Sequence, residues 1–154
     1  ISGPQAETVK DLLTSFKFTI REIGQNIGYG SSIKMCRSIF IKGLEAITTE
    51  CLLSARAYGI EEQVLTSLHN SFPSLGWDKD FGNYLISRVA EHGLRRSEEM
   101  LEVVKTIQDK SLSSKMSQAT SEKHKEFVDL MKEQDIPYQE PFVWQETADI
   151  LRQK

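Results

Sequence analysis

Apolar residues recur at steps of three and four between residues 33 and 58, and this spacing predicts one long helix. At about 100° per residue these positions form a ridge, and a second apolar ridge lies about 100° further round the axis. The apolar arc is wider than a surface helix needs, so the helix is predicted to pack from two sides. The first ridge comprises Ile33, Cys36, Phe40, Leu44, Ile47, Cys51, Ala55 and Tyr58, and the second comprises Met35, Ile39, Gly43, Ala46, Leu53 and Ala57.

The narrow remaining face of this helix is polar and begins beside a glycine loop, Gly28-Tyr29-Gly30. Ser31 or Ser32 is predicted to cap the helix start, and Gly59 is predicted to end the helix in the left-handed conformation. Glu50 falls inside the apolar arc, where an unpaired carboxylate is costly, so it is predicted to form a structural ion pair. The polar face consists of Lys34, Ser38, Lys42, Glu45 and Thr49.

Before the long helix, the pattern predicts a strand-helix-strand fragment. Residues 1–4 end in Gly-Pro and indicate a turn or the tail of a strand, and residues 6–16 have helical spacing. Lys17–Gly24 is β-branched and aromatic with period-two alternation, which predicts a short strand. Such a fragment leaves sheet edges unpaired and is too small to fold alone.

From Ser31 onward the pattern predicts helices and no strand. Asp78 is predicted to cap one of them, and Gly93 to break or bend the chain between two others. Trp77 and Trp144 are interpreted as core anchors. The fold is therefore expected to be mainly α, around one long central helix. The later predicted helices cover residues 61–71, 77–89, 94–107, 115–134 and 142–151.

The chain has 154 residues, of which 39% are hydrophobic and 27% are charged, and this is enough for one full core. The formal net charge of −3 argues against a broad nucleic-acid surface, which is normally basic. The same balance disfavours a helix-turn-helix DNA binder built on Arg88, Arg95 and Arg96. No stretch approaches the ~20 apolar residues of a membrane span. Neither a nucleic-acid nor a membrane partner is predicted.

Cys36 and Cys51 lie about 22 Å apart along the predicted helix at about 1.5 Å per residue, which is too far for a disulfide. They are interpreted as buried small hydrophobes. No His or Cys pair has metal-ligand spacing, so no metal is predicted. With no disulfide, metal site or membrane span predicted, a cytoplasmic protein is expected. The chain begins at Ile1 with neither a methionine nor a signal-peptide pattern, and it is expected to be a piece of a longer chain.

The glycine loop and the helix start form a candidate anion site. A helix start offers unpaired N–H groups and a partial positive charge, and glycines let the backbone approach a carboxylate or phosphate. Lys34 lies near a predicted core, where desolvation and positive potential would favour the neutral amine that a lysine acid/base needs. The alternative is a simple turn with a solvated lysine, and the spacing alone leaves it open.

Three stretches together resemble the β-hydroxyacid dehydrogenase and 6-phosphogluconate dehydrogenase superfamily. They are residues 28–35, residues 42–46 together with Glu50, and residues 92–100. More narrowly, the chain resembles the phosphogluconate-dehydrogenase-like branch whose C-terminal helical domain is a domain of unknown function. The resemblance implies a helical substrate and dimerisation domain over 27–154, preceded by a β-α-β remnant of a Rossmann domain over 1–26.

By this resemblance, Lys34 falls on the family lysine of the pattern Gly-x-Gly-x-x-x-Lys-x-x-x-Asn, which shuttles the hydroxyl proton as hydride leaves the substrate carbon. Gly28 and Gly30 fall on the two glycines. Ser38 stands in place of the asparagine and offers one donor rather than two. The family binds NAD or NADP mainly in an N-terminal Rossmann domain whose fingerprint is absent here, so this fragment alone is expected to be inactive.

Candidate substrate contacts lie in two places. A cationic strip arises on a later helix if that helix runs through Gly93, and the alternative is that the strip pairs with neighbouring glutamates. The strip comprises Arg88, His92, Arg95 and Arg96, of which His92 and Arg96 are the substrate candidates, and the glutamates are Glu91, Glu98 and Glu99. At the start of the long helix, the carboxylate of a small anionic hydroxyacid would be held and oriented by Gly30, Ser31, Ser32 and Ser38.

Two classes of function follow from the sequence. The first is an NAD(P)-dependent hydroxyacid oxidoreductase in which Lys34 is the general acid/base and a second copy covers part of the wide apolar arc, as a homodimer. The second is a non-catalytic helical module, in which the same surface makes a dimer or docks a partner.

Overall fold

The computed structural model of the protein describes residues 1–152, and within these residues it is helical and contains no strand. The expected mainly α fold is confirmed. The chain divides into two compact units, Ile1–Ser38 and Ile39–Lys154. The helices are α1 (Ala6–Ser15), α2 (Tyr29–Tyr58), α3 (Glu61–Ser71), α4 (Phe81–Gln108), α5 (Lys115–Glu133) and α6 (Trp144–Leu151), with a short 3₁₀ helix over Pro73–Leu75. The last two residues of the predicted domain 27–154 lie outside the described part, and the predicted domain limits stay a prediction.

In the first unit, α1 is followed by an extended segment where a strand is predicted. The Ile23 N–H donates to the Ile1 carbonyl at 3.0 Å, and the Gly3 N–H donates to the Gly24 carbonyl at 3.0 Å. The two segments therefore run side by side in the same direction. These bonds do not build a sheet, because an isolated pair of strands is marginal in water. The predicted strand over Lys17–Gly24 is wrong.

The two ends of α2 are set by glycines in the left-handed region. Gly28, just before the helix, has φ of 90°, and Gly59, just after it, has φ of 70°. The predicted helix end at Gly59 is confirmed. The predicted cap is wrong, because α2 begins at Tyr29 and Ser31 and Ser32 therefore lie inside its first turn.

The second unit is a helical bundle in which α4 and α5 form an antiparallel hairpin. Near the middle of the hairpin, the hydroxyls of Ser97 and Ser121 lie 2.9 Å apart. From Ile39 onward, α2 runs antiparallel to α4, since Leu52 lies against Gly82 near the start of α4. The core comprises Leu52, Ile86, Val89, Ala90, Phe127, Met131, Phe142, Trp144 and Ala148.

The two tryptophans are buried, as predicted. Trp77 is 5% exposed and makes an edge contact with Phe81, with ring centroids 5.0 Å apart. Trp144 is 3% exposed and belongs to the core. Asp78 does not cap a helix, because α4 begins at Phe81, and the Asp78 carboxylate instead lies 3.1 Å from His69 Nδ1.

Gly93 is a point of close helix packing. The predicted break there is wrong, because α4 runs unbroken through this residue and joins the two helices predicted over 77–89 and 94–107. A Cβ at Gly93 would lie 2.6 Å from Val128 Cγ2 and 2.9 Å from the backbone oxygen of His124. Glycine is therefore required by the approach of α5, which outweighs its low helix propensity.

The burial of α2 departs from the prediction on the polar face and on most of the first apolar ridge, whereas Gly43 and Ala46 of the second ridge are buried as predicted. Along the predicted outer face, the polar residues Ser38, Lys42, Glu45 and Thr49 are buried. On the predicted packed ridge, Phe40 is 70% exposed, Ile47 is 57% exposed and Tyr58 is 82% exposed. Hydrophobic spacing cannot reveal this arrangement, because burial of charged side chains becomes tolerable only when partners on another helix neutralise them.

Two smaller expectations about α2 change with the faces. Glu50 is exposed rather than inside a buried arc, but its predicted ion pair is confirmed, with Glu50 Oε2 lying 3.3 Å from Lys123 Nζ. Cys36 is exposed and Cys51 is half-buried, so their predicted burial is wrong. Both thiols are free, as their separation predicts.

Alanine at Gly93 is expected to destabilise the protein by about 1–3 kcal/mol, because the new methyl group must displace α5 backbone. Gly43 of α2 is the matched control, since a Cβ there meets Thr120 Oγ1 at an ordinary 3.8 Å. Gly43→Ala should therefore be neutral or stabilising by up to about 1 kcal/mol through helix propensity. Urea denaturation of both variants measures the difference, and equal free energies of unfolding would show that Gly93 is not a packing glycine.

Candidate functional site

Lys34 lies near the start of α2 in the first unit, and its side chain is exposed. None of the hydrogen bonds or ion pairs within residues 1–152 involves Lys34. The expected position against a packed core is therefore not found in this chain, where the ammonium is hydrated. The Lys34 ammonium nevertheless has no bonded partner within residues 1–152, so it is free to approach a substrate.

The backbone around the helix start is partly occupied by internal bonds. The Gly30 N–H donates to Ser2 Oγ at 3.2 Å, and the Ser32 N–H donates to the Gly28 carbonyl at 2.9 Å. Ser31 and Ser32 are exposed. The Tyr29 N–H also donates to the Asn26 carbonyl, so three amides of the first turn are already bonded, and the exposed serine hydroxyls are the side-chain donors left to a carboxylate. Ser38, one turn beyond Lys34, is buried.

The cationic strip on α4 exists because α4 continues through Gly93, and its members pair with glutamates. Arg88 Nη1 donates to Glu91 Oε2 at 2.7 Å, and His92 Nε2 lies 3.2 Å from the same oxygen. Arg95 donates to Glu99, as expected for a solvated pair. The remaining member, Arg96, binds Glu45 of α2. The substrate roles of His92 and Arg96 stay predictions, and the structure places both residues in the second unit, whereas Lys34 lies in the first.

A buried charge network joins α2 to α4 in the second unit. Arg96 Nη1 donates to both carboxylate oxygens of Glu45, at 2.8 and 2.7 Å, and Glu45 is 2% exposed. One turn earlier on α2, the buried Lys42 ammonium donates to Glu99. Burial raises the pKa of Glu45, and the charges of Arg96 and Lys42 oppose that rise. These four charged groups lose contacts with water, and the ion pairs between them compensate for that loss.

His124 of α5 adjoins this network and is completely buried. Its Nε2 lies 3.9 Å from Glu45 Oε2, and neither ring nitrogen has a hydrogen-bond partner within the described residues. Burial, together with the positive charges of Arg96 and Lys42, lowers the pKa of His124 to about 4, against an opposing effect of the Lys42 backbone. The imidazole is therefore neutral at neutral pH.

This network was not predicted from the sequence. The available signal is the i, i+3 spacing of Lys42 and Glu45 on the narrow polar face of a helix whose other faces are apolar. The network has the chemistry of a structural clamp, because its cations and carboxylates already satisfy one another. Within residues 1–152, no group of His, Cys, Asp and Glu side chains could hold a metal ion. No helix in the same range is long and apolar enough to cross a membrane.

Comparison with known proteins identifies the helical domain. Residues 55–127 match a family described as a domain of unknown function, DUF1932. A crystal structure of a conserved hypothetical protein from Sinorhizobium meliloti 1021 is 33% identical and superposes with a TM-score of 0.84, over 97% of this chain and 49% of that chain. An uncharacterized 28.5 kDa protein from Methanothermus fervidus is 32% identical over 123 residues, which are 77% of this chain and 46% of the relative.

A further solved structure carries information on the class of protein. It belongs to a conserved protein of unknown function that is described as structurally similar to 3-hydroxyacid dehydrogenases. It is 30% identical and superposes with a TM-score of 0.66, over 81% of this chain and 48% of that chain. Residues 55–127 thus match DUF1932, and the resemblance inferred from the sequence is confirmed by that match and by the likeness to a relative described as similar to 3-hydroxyacid dehydrogenases. It spans about half the length of these relatives.

The buried His124 is expected to make stability depend on acid. Unfolded histidine takes up a proton near pH 6.5, whereas folded His124 does so near pH 4, so its contribution to the free energy of unfolding falls as pH drops between these values. The expected loss is about 2 kcal/mol at pH 5. Denaturation at pH 7 and pH 5 should show a smaller loss in His124→Leu than in the wild type.

The raised pKa of Glu45 has the opposite effect on stability, because it favours the folded state as pH falls. Glu45 is present in both the wild type and His124→Leu, so this effect is common to the two proteins. Lys42 and Arg96 are the other charged groups facing His124. An NMR titration of the wild type provides a check that does not depend on the variant. A His124 ring that titrates near pH 6.5 would contradict the expected depression.

Proposed function

We propose that this chain is the helical substrate-binding and dimerisation part of an NAD(P)-dependent hydroxyacid oxidoreductase, with Lys34 as general acid/base. The observation that supports this most is the likeness to a protein described as similar to 3-hydroxyacid dehydrogenases. That relative is about twice as long as the matched part of this chain, so the activity belongs to the whole protein. The chain alone is expected to be inactive, and its cytoplasmic location is part of the proposal.

The pairing of the cations on α2 favours Lys34 over Lys42 as the acid/base. Lys42 is buried and bound to Glu99, so its ammonium is held in place and cannot reach a substrate without breaking that pair. Lys34 has no such partner within residues 1–152. A proton shuttle must both gain and lose a proton next to the substrate, which an unpaired amine can do once other groups cover it.

The proposed role of Lys34 is to take the proton of the substrate hydroxyl as that group becomes a carbonyl, and to return it in the reverse direction. The exposed hydroxyls of Ser31 and Ser32, with the backbone at Gly30, would hold the substrate carboxylate near the positive end of α2. Ser38 would contribute one hydrogen-bond donor. His92 and Arg96 remain proposed contacts, although their present partners are Glu91 and Glu45.

The residues of this chain do not fit a dinucleotide cofactor. The sequence lacks the Gly-x-Gly-x-x-Gly turn that follows a strand and opens a helix, and no strand is found within residues 1–152. NAD or NADP would be bound mainly by a part of the protein outside this chain. When bound there, the nicotinamide supplies the hydride acceptor.

Dimerisation is proposed from the exposed apolar side chains of the second unit. Phe40 and Ile47 stand exposed on α2, and Met116 on α5 is 63% exposed. Between them, a groove of about 380 Å³ is lined mainly by apolar atoms of Ala46 and Ala119 with Ile47 and Met116. Exposed apolar patches of this kind mark interaction sites in soluble proteins. A second copy of the chain is the proposed occupant.

Replacement of Lys34 by alanine in the intact protein is expected to lower kcat by about 10²–10⁴-fold, because proton transfer is lost. The fold should be unaffected, since the side chain is exposed and forms no bond within residues 1–152. Lys10→Ala, which removes another lysine of the first unit, is the matched control and should retain activity. Activity of Lys34→Ala close to that of the wild type would support the non-catalytic module instead.

A charge at position 47 is expected to separate the proposed dimer. Ile47→Glu places a carboxylate at the centre of the apolar patch, whereas Leu101→Glu adds the same charge on an exposed position of α4. Light scattering after size exclusion should give a monomer for the first variant and a dimer for the second. A wild-type monomer, or a dimer that survives Ile47→Glu, would remove this patch as the interface.

A further inference from the structure

A second groove lies beside the α4–α5 hairpin, where the chain after α5 folds back. Its volume is about 480 Å³, within the range of small-molecule sites. Gly93, Ala90 and Met131 form its floor, all of them buried, and Ile136 adds an apolar wall.

One wall of this groove is held rigidly by an aromatic residue. The Tyr138 ring stacks on Phe142 at a centroid distance of 5.7 Å and an interplanar angle of 24°. The Tyr138 hydroxyl donates to Glu140, which fixes the direction of the phenol group. The wall is therefore preorganised, so little conformational freedom would be lost when a ligand packs against it.

The rim of the groove is cationic although the whole chain carries a net charge of −3. Lys132 and Arg95 line it, and the acidic residue beside them, Glu91, is already neutralised by Arg88 and adjoined by His92. Lys132 has no ion pair within residues 1–152, whereas Arg95 shares Glu99 with Lys42. An ammonium without a partner above an apolar floor suits a ligand with an anionic end and an apolar body.

We propose that this groove binds a small organic carboxylate with a compact branched apolar body, its chain against the floor and its carboxylate at Lys132. The site lies wholly within the second unit and uses neither Lys34 nor the start of α2. It shares His92 with the proposed substrate contacts but does not depend on Lys34, so the two proposals can fail separately.

The probe is 4-methylpentanoate, with 4-methylpentan-1-ol as the neutral analogue of the same shape. Calorimetric titration of the full chain should give saturable binding of the carboxylate with a Kd on the order of 1 mM, and at least about tenfold weaker binding of the alcohol. In an NMR titration, the amide signals that move should be those of residues 90–95 and 131–138. Absence of saturation up to about 20 mM, equal binding of the alcohol, or shifts confined to other residues would each overturn the proposal.

Lys132→Gln should weaken the carboxylate by about threefold to tenfold and leave the alcohol unchanged, because only the charge contact is lost. The matched control is Lys115→Gln, which removes the same charge from the far end of α5, where Lys115 also has no ion pair within residues 1–152. Both lysines are exposed, so both variants should fold. Equal weakening by the two variants would show a general charge effect and would overturn the site. A shift in oligomeric state with Lys132→Gln would instead assign the groove to an interface between copies.

Discussion

The bidentate bond between Arg96 and Glu45 is the constraint on which the second unit depends. Both groups are withdrawn from water between α2 and α4, and each is tolerable there only because the other is present. Their contact fixes which face of α2 turns inward. Lys42 and Glu99 form a second ion pair between α2 and α4, one turn away. Two ion pairs, in addition to apolar packing, therefore fix the register of the two helices. The apolar residues on the opposite face of α2, including Ile47, are left exposed as a direct result.

The same region shows how close packing and polarity combine. α4 and α5 approach most closely where Gly93 offers no side chain and where Ser97 and Ser121 bond to each other. The small residues let the two helices come close together, and the two serine hydroxyls that this contact buries hydrogen-bond to each other. His124, in the same layer, is left with two unbonded ring nitrogens next to the charged network. A few polar residues thus determine how the helices of this bundle pack, and the rest of its surface is available for contacts with other molecules.

The helix positions could be predicted from the sequence, because apolar periodicity, Gly59 and the proline and glycine after α3 mark helices and their ends directly. The bounds of α3 agree with the prediction at both ends. The faces of α2 could not be predicted in the same way, because the burial of Glu45 depends on Arg96, which lies on another helix and is recognisable as its partner only in three dimensions. Gly93 was misread for a related reason, since a glycine that breaks a helix and a glycine that admits a neighbouring helix look alike in one sequence. Lys34 is indicated by a family pattern rather than by its own surroundings, because its side chain is exposed.

The paired guanidinium and carboxylate also restrict how this protein can change over evolutionary time. A lysine at position 96 could not reproduce two parallel bonds to Glu45, because an ammonium is a point donor and a guanidinium is a planar fork. Loss of either member alone leaves a lone charge in the interior, at a cost of about 3–5 kcal/mol, against a total stability of about 5–15 kcal/mol for an ordinary domain. Replacement of both members by apolar residues carries no such cost. Descendants of this sequence are therefore expected to keep the two residues together or to lose them together, so that the pair is inherited as one unit.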